Sequence, residues 1–325
     1  MSTDLKIVIP VAGVGTRLRP HTYSIPKPLL PVAGKEMLAH VVDPLVELDP
    51  EEVIFVVGYL GDKIVEYVKQ KYKFKATFVE QNDLLGLGFA VNVALQKINS
   101  GRLMIILGDT IARTDFADFI SNGDAIGLKK VRDPRRFGIA VVENGKIVEF
   151  EEKPSEPRSD LAIIGLYYFD NSDVLKEHIE KLIKSGKTTR GEVQLTDALD
   201  LMVRGGRTFR PYEVDGWYDC GKKETMLSTN RELLLDSSES DDYAGSVIIP
   251  PVYIAPSAII EDSVIGPYVS IMDDTEIKRS VIRNSIISRK AVVEDSLLDE
   301  SLIGESANIR GKFRILNAGD SSEVK

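Results

Sequence analysis

From Ile254 onward, large aliphatic residues recur every five or six positions: Ile254, Ile260, Ile265, Ile271, Ile277, Ile282, Ile287, Val293, Leu298, Ile303, Ile309 and Ile315. A helix returns to one face every 3.6 residues and a strand every two, so neither sustains this rhythm. Small and polar residues fill the spaces between. The pattern predicts hexapeptide repeats, short strands winding as a parallel β-helix that stacks its aliphatics turn upon turn; an antiparallel sheet of short strands is the alternative. At about 18 residues per turn, roughly sixty residues make about three and a half turns. The exposed side of such a coil is suited to pairing with a copy of itself, so a homo-oligomer formed through this domain is expected.

The first 235 residues follow other periods. Residues 5–12, 52–58, 74–80 and 102–109 read as strands, and 35–48, 62–70 and 88–98 as helices, which implies a mostly parallel sheet covered on both faces. Ligands in such sheets sit at the carboxyl ends of the strands. The turn at Gly13 and Asp109 both fall there and are expected to share a crevice. Residues 137–154 then alternate on either side of Asn144-Gly145, a hairpin signal. Strands at 163–169 and 207–214 and helices at 172–184, 192–204 and 222–235 follow. The acidic, small-residue stretch 236–246 reads as a linker. The expected domains are 1–235, mixed α/β, and 247–325, the coil with a short tail.

The net charge of −9 argues against a general nucleic-acid binder. No apolar run approaches the roughly 18 residues of a membrane span. The apolar start "IVIPVAG" ends in a glycine turn, so it reads as a strand and not a signal peptide, and the cytoplasm is the expected location. A single cysteine, Cys220, excludes an internal disulfide and a cysteine zinc cluster; no base partner for it is identifiable, and it reads as a small buried residue.

The stretch "VIPVAGVGTRLRPHTYSIPKPLLPV" runs from a strand into glycines, then places Arg17 and Lys27 among Pro20, Pro26, Pro28 and Pro31. Glycines let backbone N–H groups approach a phosphate. The prolines stiffen the loop, so its charges need little reorganisation during a reaction. A dinucleotide fold would need an acid at the end of the second strand, but none occurs before Asp62. A kinase-type phosphate loop would need Gly-Lys-Ser or Gly-Lys-Thr, which is missing. Taken singly, Arg17 and Lys27 could be solvated charges, Asp109 a helix cap, Trp217 a core residue, and Lys153 the exit of a strand.

Seven stretches, in this order, resemble the sugar-1-phosphate nucleotidyltransferases: "AGVGTRLRPHTYSIPKPLLPVAGKEML", "LGLGFAV" (85–91), "LGDT" (107–110), "FGIAVVENGKIVEFEEKP", "LAIIGLYYFD" (161–170), "GEVQLTDAL" (191–199) and "WYDCG" (217–221). The resemblance implies a Rossmann-like nucleotidyltransferase domain followed by a short left-handed β-helix. It also implies a reaction in which a sugar-1-phosphate oxygen attacks the α-phosphorus of a nucleoside triphosphate and pyrophosphate leaves. By the same resemblance Ala12, Gly13, Gly15 and Thr16 cradle the triphosphate, Arg17 neutralises the departing phosphates, and Lys27 acts at the α-phosphate. Asp109 and Asp219 hold Mg2+, and Asp109 counts among the nucleotide-binding residues. Gln81 and Gly86 read the base. Gly138, Glu152, Ile163 and Trp217 form the sugar pocket, and Lys153 meets the sugar phosphate.

The signature is similar to both glucose-1-phosphate thymidylyltransferases and UTP–glucose-1-phosphate uridylyltransferases, so dTTP or UTP with a hexose-1-phosphate, glucose-1-phosphate first, are the expected substrates. Ala12 departs from the first group's glycine and Phe89 from the second group's histidine. A mannose-1-phosphate guanylyltransferase shares the architecture but has a different base-reading loop. A regulatory relative that senses sugar nucleotides is the alternative from another class; here Arg17, Lys27, Asp109 and Asp219 are all retained. Some relatives carry an acetyltransferase on the coil with a histidine base, but His21, His40 and His178 all precede the linker, so no acyl transfer is expected.

Overall fold

A computed structural model of the chain describes residues 4–235, 243 and 245–311. Most of the expected linker, the expected tail and Ile315 lie outside them. The chain divides into two compact units. One runs through Leu30 and from Glu36 to Lys222; the other comprises Pro31–Lys35 and everything from Lys223.

The centre of the first unit is a run of parallel strands: β1 (Lys6–Pro10), β2 (Glu52–Val57), β3 (Ala76–Glu80) and β4 (Leu103–Ile106), with β1 between β2 and β4. β1, β2 and β4 are mostly apolar on both faces because both faces are covered, whereas β3, at the edge, buries only Val79. Val8, Ile54, Val56, Leu103 and Ile105 pack in one core cluster with residues of three helices, α3 (Leu87–Leu95), α5 (Ser172–Lys184) and α6 (Leu195–Arg204). Two helices precede α3, α1 (Met37–Val42) and α2 (Gly61–Lys71), and one turn, α4 (Phe116–Phe119), follows it. Beyond β4 the strands β5 (Thr110–Arg113), β6 (Ala125–Lys130), β7 (Gly138–Glu143), β8 (Lys146–Glu152), β9 (Leu161–Phe169), β10 (Arg210–Glu213) and β11 (Gly216–Asp219) follow in order. Here the sheet is mixed, antiparallel except where β10 pairs β6 in parallel, and β5 and β11 form a separate antiparallel ribbon. The sheet runs β8-β7-β9-β4-β1-β2-β3, with β6 pairing both β9 and β10. Asn144 (φ 50°) and Gly145 (φ 74°) turn the expected hairpin between β7 and β8.

β9 is bulged between Ile163 and Tyr167. It pairs with β6 on both sides of the bulge and with β4 along its last residues, and at the bend Thr110 Oγ1 donates to Ile164 O at 3.0 Å. That bond fixes the start of the β5–β11 ribbon, in which Asp219 lies opposite Thr110 and Trp217 opposite Ala112. The helix expected over 35–48 is instead a strand residue pair, α1, and a 3-10 turn over Asp43–Leu48; Pro44 lacks the N–H that an α-helix would use there.

The second unit contains the coil. Four short strands stack in parallel in each of three sheets, consistent with a left-handed β-helix. Ile248, Ile265, Ile282 and Leu298 form one column, Ile254, Ile271, Ile287 and Ile303 the next, and Ile260, Ile277, Val293 and Ile309 the third. A turn takes 17 residues at first (Ile254 under Ile271) and 16 later (Ile271 under Ile287), fewer than the 18 expected, because one or two sides use five residues and not six. The columns are buried among themselves. At one corner a row of serines continues the stack: the backbone N–H of Ser263, Ser280 and Ser296 each donates to the hydroxyl of the serine one turn below, at 3.1 Å.

The helix α7 (Lys223–Leu234), which chain order alone assigns to the first domain, belongs to this second unit, as does the hairpin tip 31–35. Asn230 explains why. It is 1% exposed, and its Oδ1 accepts from Ala33 N–H (2.9 Å) and from Ser270 Oγ (2.7 Å), while Nδ2 donates to Tyr268 O (3.3 Å).

Candidate active site

Each buried strand ends where its backbone must turn, and four such ends meet. Val11 N–H donates to Val56 O, Gln81 N–H to Val57 O, and Gly108 N–H to Pro10 O. A cavity of about 330 Å³ opens at these carboxyl ends, lined by the Pro10–Gly13 turn, Lys27, Pro28, Gln81, Gly86, Gly108 and Asp109, among others. The crevice expected from strand order is therefore present, and it unites Ala12, Gly13, Lys27, Gln81, Gly86 and Asp109.

Within the turn the two glycines differ. Gly15 has φ +67°, and a Cβ there would come within 2.9 Å of Lys27 Cβ. Thr22 Oγ1 donates to Gly15 O at 2.9 Å and ties the turn to the loop that carries Lys27. Gly13 is not in the left-handed region, and a Cβ on it would meet no protein atom within 4 Å. The backbone there is thus open to a ligand. Thr16, Arg17 and Leu18 form a 3-10 turn that starts from Gly15.

Lys27 is not a solvated charge. Its side chain is 10% exposed and its Nζ donates to Asp109 Oδ2. Asp109 does not cap a helix; it precedes β5. Asp219 lies one register position away on β11. A Cβ added to Gly221 would sit 2.9 Å from Asp219 Oδ1 and 3.2 Å from Arg17 Nη2, so Arg17 and Asp219 flank one glycine. The two nominated cations therefore stand beside the two nominated carboxylates. Among the described residues no group of three or more metal-ligating side chains occurs. Two carboxylates, one just before β5 and one at the end of β11, suit a hard cation that takes its remaining oxygens from phosphate and water.

Gln81 is 6% exposed, and its Nε2 donates to Asp83 O at 3.0 Å. Gly86 is needed for close approach: a Cβ there would lie 2.7 Å from Val193 O and 2.8 Å from Glu192 Cβ. The "LGLGFAV" and "GEVQLTDAL" stretches are thus two sides of one contact, sealed by Gly88 N–H donating to Val193 O at 2.9 Å.

The sugar set forms a second cluster. None of its members lines the 330 Å³ cavity. Gly138 lies where an added Cβ would be 3.0 Å from Glu152 Oε2, 3.0 Å from Thr196 Oγ1 and 3.3 Å from Ile163 Cδ1. Glu152, with its side chain 8% exposed, accepts from Thr196 Oγ1 at 2.8 Å and pairs with Lys153 Nζ at 2.9 Å. Trp217 reaches this end through edge-on packing with Phe137, whose carbonyl accepts from Lys153 N–H. Tyr167 is buried below, its phenol pushed up by burial and then by the Glu152 charge. Thr196 and Glu192 were not singled out from the sequence. Both lie in "GEVQLTDAL", a stretch whose resemblance implies no role for its individual residues. Cys220 is buried, as expected.

No helix among the described residues is long and apolar enough to cross a membrane. Comparison with known proteins gives a consistent picture. The glucose-1-phosphate thymidylyltransferase of Streptomyces griseus is 30% identical over 312 residues, 86% of each chain. The UTP–glucose-1-phosphate uridylyltransferase AglF of Haloferax volcanii is 31% identical over 249 residues, 73% of this chain and all of that one. The bifunctional protein GlmU of Methanocaldococcus jannaschii is 34% identical over 229 residues, but this chain spans only 54% of its length. A UDP-glucose pyrophosphorylase solved with UDP-glucose shares the fold, with a TM-score of 0.62 at 23% identity over 71% of this chain and 98% of that one. The family model described as nucleotidyl transferase matches residues 6–235, which contains all seven stretches and the site they build, and the chain belongs to that family.

Proposed function

We propose that the protein transfers a nucleoside monophosphate from a pyrimidine triphosphate, UTP or dTTP, to a hexose-1-phosphate, with glucose-1-phosphate the first candidate, and releases pyrophosphate. The observation that carries this reading is the pairing of Lys27 with Asp109 beside the open backbone of Gly13, at the mouth of β1 and β4. Two anions must approach in line, and their mutual repulsion is the main obstacle. The backbone of residues 12–16 and Arg17 hold the β- and γ-phosphates. Lys27 turns from Asp109 to the α-phosphate, where negative charge gathers as the bond to pyrophosphate lengthens. Lys153 holds the incoming sugar phosphate, and Glu152, oriented by Thr196, accepts from sugar hydroxyls. Asp109 and Asp219 would hold Mg2+, which when bound would shield the triphosphate charge.

Uracil and thymine differ by one methyl group, worth about 1–3 kcal/mol in discrimination, so dual use of UTP and dTTP is consistent with both relatives. The coil is the proposed homo-oligomer surface. Val247 and Leu297, 56% and 80% exposed, stand on one row with Val264 and Val281. A monomer by light scattering at micromolar concentration would remove that part. The activity is tested by pyrophosphate release over a matrix of five triphosphates and glucose-1-, mannose-1-, galactose-1- and N-acetylglucosamine-1-phosphate, with and without Mg2+. Release on the UTP or dTTP rows with glucose-1-phosphate supports the reading; background across the whole matrix defeats it.

A further inference from the structure

Lys27 and Asp109 line the same cavity, yet they depend on each other unequally. The Lys27 side chain is 10% exposed and that of Asp109 36%. A buried ammonium needs a counter-charge, and Asp109 Oδ2 supplies one by accepting from Nζ. The carboxylate still meets water and needs the lysine less.

The backbone under Lys27 cannot retreat. Leu29 N–H donates to Pro26 O at 2.8 Å and Leu30 N–H to Lys27 O at 3.1 Å, which closes a 3-10 turn around Pro28. The Lys27 Cβ stands against Gly15, whose carbonyl accepts from Thr22 Oγ1 at 2.9 Å. The ammonium therefore changes partners only by rotation of its flexible four-carbon stem inside the cavity. The lining of that cavity includes the open backbone of Gly13.

Asp109 is thus claimed twice, by the Lys27 ammonium and, on the reading given above, by a divalent cation. A cation that took Asp109 alone would leave Lys27 buried, unpaired and next to a second positive charge. A triphosphate on the 12–16 turn removes that obstacle, because its oxygens receive the ammonium while the cation takes the carboxylate.

We propose that Lys27 guards the cation site: its pairing with Asp109 keeps divalent cations out until a triphosphate arrives, so that cation and nucleotide enter by one exchange of partners. This rests on the assignment of Asp109 as a cation ligand. The two binding events are then coupled, each raising the affinity for the other by the same factor.

The test measures binding, not turnover, and uses the full chain. The first probe is Mn2+ alone, followed by loss of the free-ion electron paramagnetic resonance signal. Lys27→Met removes the charge and keeps an unbranched stem. It is expected to bind Mn2+ at least about tenfold more tightly than wild type, a modest gain for removing a like charge from contact distance in a part-exposed site. Adding Asp109→Asn to Lys27→Met should abolish that gain. The second probe is α,β-methylene-UTP, whose Kd is measured in EDTA and in saturating Mn2+. The analogue chelates Mn2+ equally whichever protein is present, so the ratio of the two constants is compared between proteins. That ratio should be about tenfold smaller in Lys27→Met, where the cation no longer waits for the nucleotide. Unchanged Mn2+ affinity in Lys27→Met overturns the proposal, as does an equal ratio in the two proteins or a gain that survives Asp109→Asn. Normal pyrophosphate release by Lys27→Met would instead refute the role of Lys27 at the α-phosphate, and Mn2+ binding then decides the guard by itself. An analogue that binds neither protein counts against the pyrimidine reading, and again the Mn2+ measurement decides. Lys27→Gln repeats both measurements should Lys27→Met fold poorly.

Discussion

Replacing each of the two glycines of the anion-binding turn with alanine should separate stability from binding. At Gly15 the backbone is left-handed, φ +67°, which costs an L residue about 1–2 kcal/mol. The new Cβ would also lie 2.9 Å from Lys27 Cβ and 3.1 Å from Thr22 Cγ2, so the turn or the Lys27 segment must yield by a few tenths of an ångström. The two effects together come to about 2–3 kcal/mol. For a unit of this size that lowers the melting temperature by about 4–12 °C. Because the displaced neighbour is Lys27, kcat should fall as well. At Gly13 neither effect operates, so Gly13→Ala should unfold within about 0.5 kcal/mol of wild type. Its methyl group instead occupies the open backbone surface, and KM for the triphosphate should rise. Differential scanning calorimetry and steady-state kinetics on the two variants provide the comparison. A Gly15→Ala protein as stable as wild type, or a Gly13→Ala protein destabilised as much as Gly15→Ala, would refute the reasoning.

Other expectations concern single groups. Lys27→Ala and Asp109→Ala should each lower turnover at least about 10²-fold, the scale of losing one electrostatic contact in a reaction of this kind, and chelation should abolish pyrophosphate release reversibly; normal turnover in either variant removes that residue from the mechanism. Ser280→Ala leaves the buried Ser296 N–H without its acceptor and should cost the coil about 1–3 kcal/mol in urea unfolding. The Tyr168 phenol is pushed up to about 12, first by burial and then by its hydrogen bond to Asp170. Its folded value is raised, so its contribution to stability is complete below pH 10 and is lost as pH rises from 10 to 12. An alkaline unfolding profile left unchanged by Tyr168→Phe would contradict this.

The parts of the fold legible in the sequence were those whose cause is local. Asn144-Gly145 prescribes its own turn, and the five- or six-residue aliphatic interval can be satisfied by little other than stacked sides of a coil. The parallel strands were legible because burial on both faces leaves an unbroken apolar run. The β5–β11 ribbon was not: each strand is four residues long, and what makes them strands is a partner about a hundred residues away. The grouping of α7 with the second unit was not legible for a related reason, since helical spacing says nothing about which neighbour will receive Asn230. In the site, residue types and order pointed to Lys27 and Asp109, but not to their mutual pairing. Thr196 stayed hidden because a hydroxyl that orients a carboxylate carries no spacing signature.

The serine row and the aliphatic columns constrain how this coil can change in length. Each rung recognises the one beneath it by register alone, so inserting a single residue would rotate every later aliphatic off its column and break the row of hydroxyls. Duplicating a whole 16-residue rung would leave every contact above and below intact. The coil is therefore extensible only in steps of one full turn.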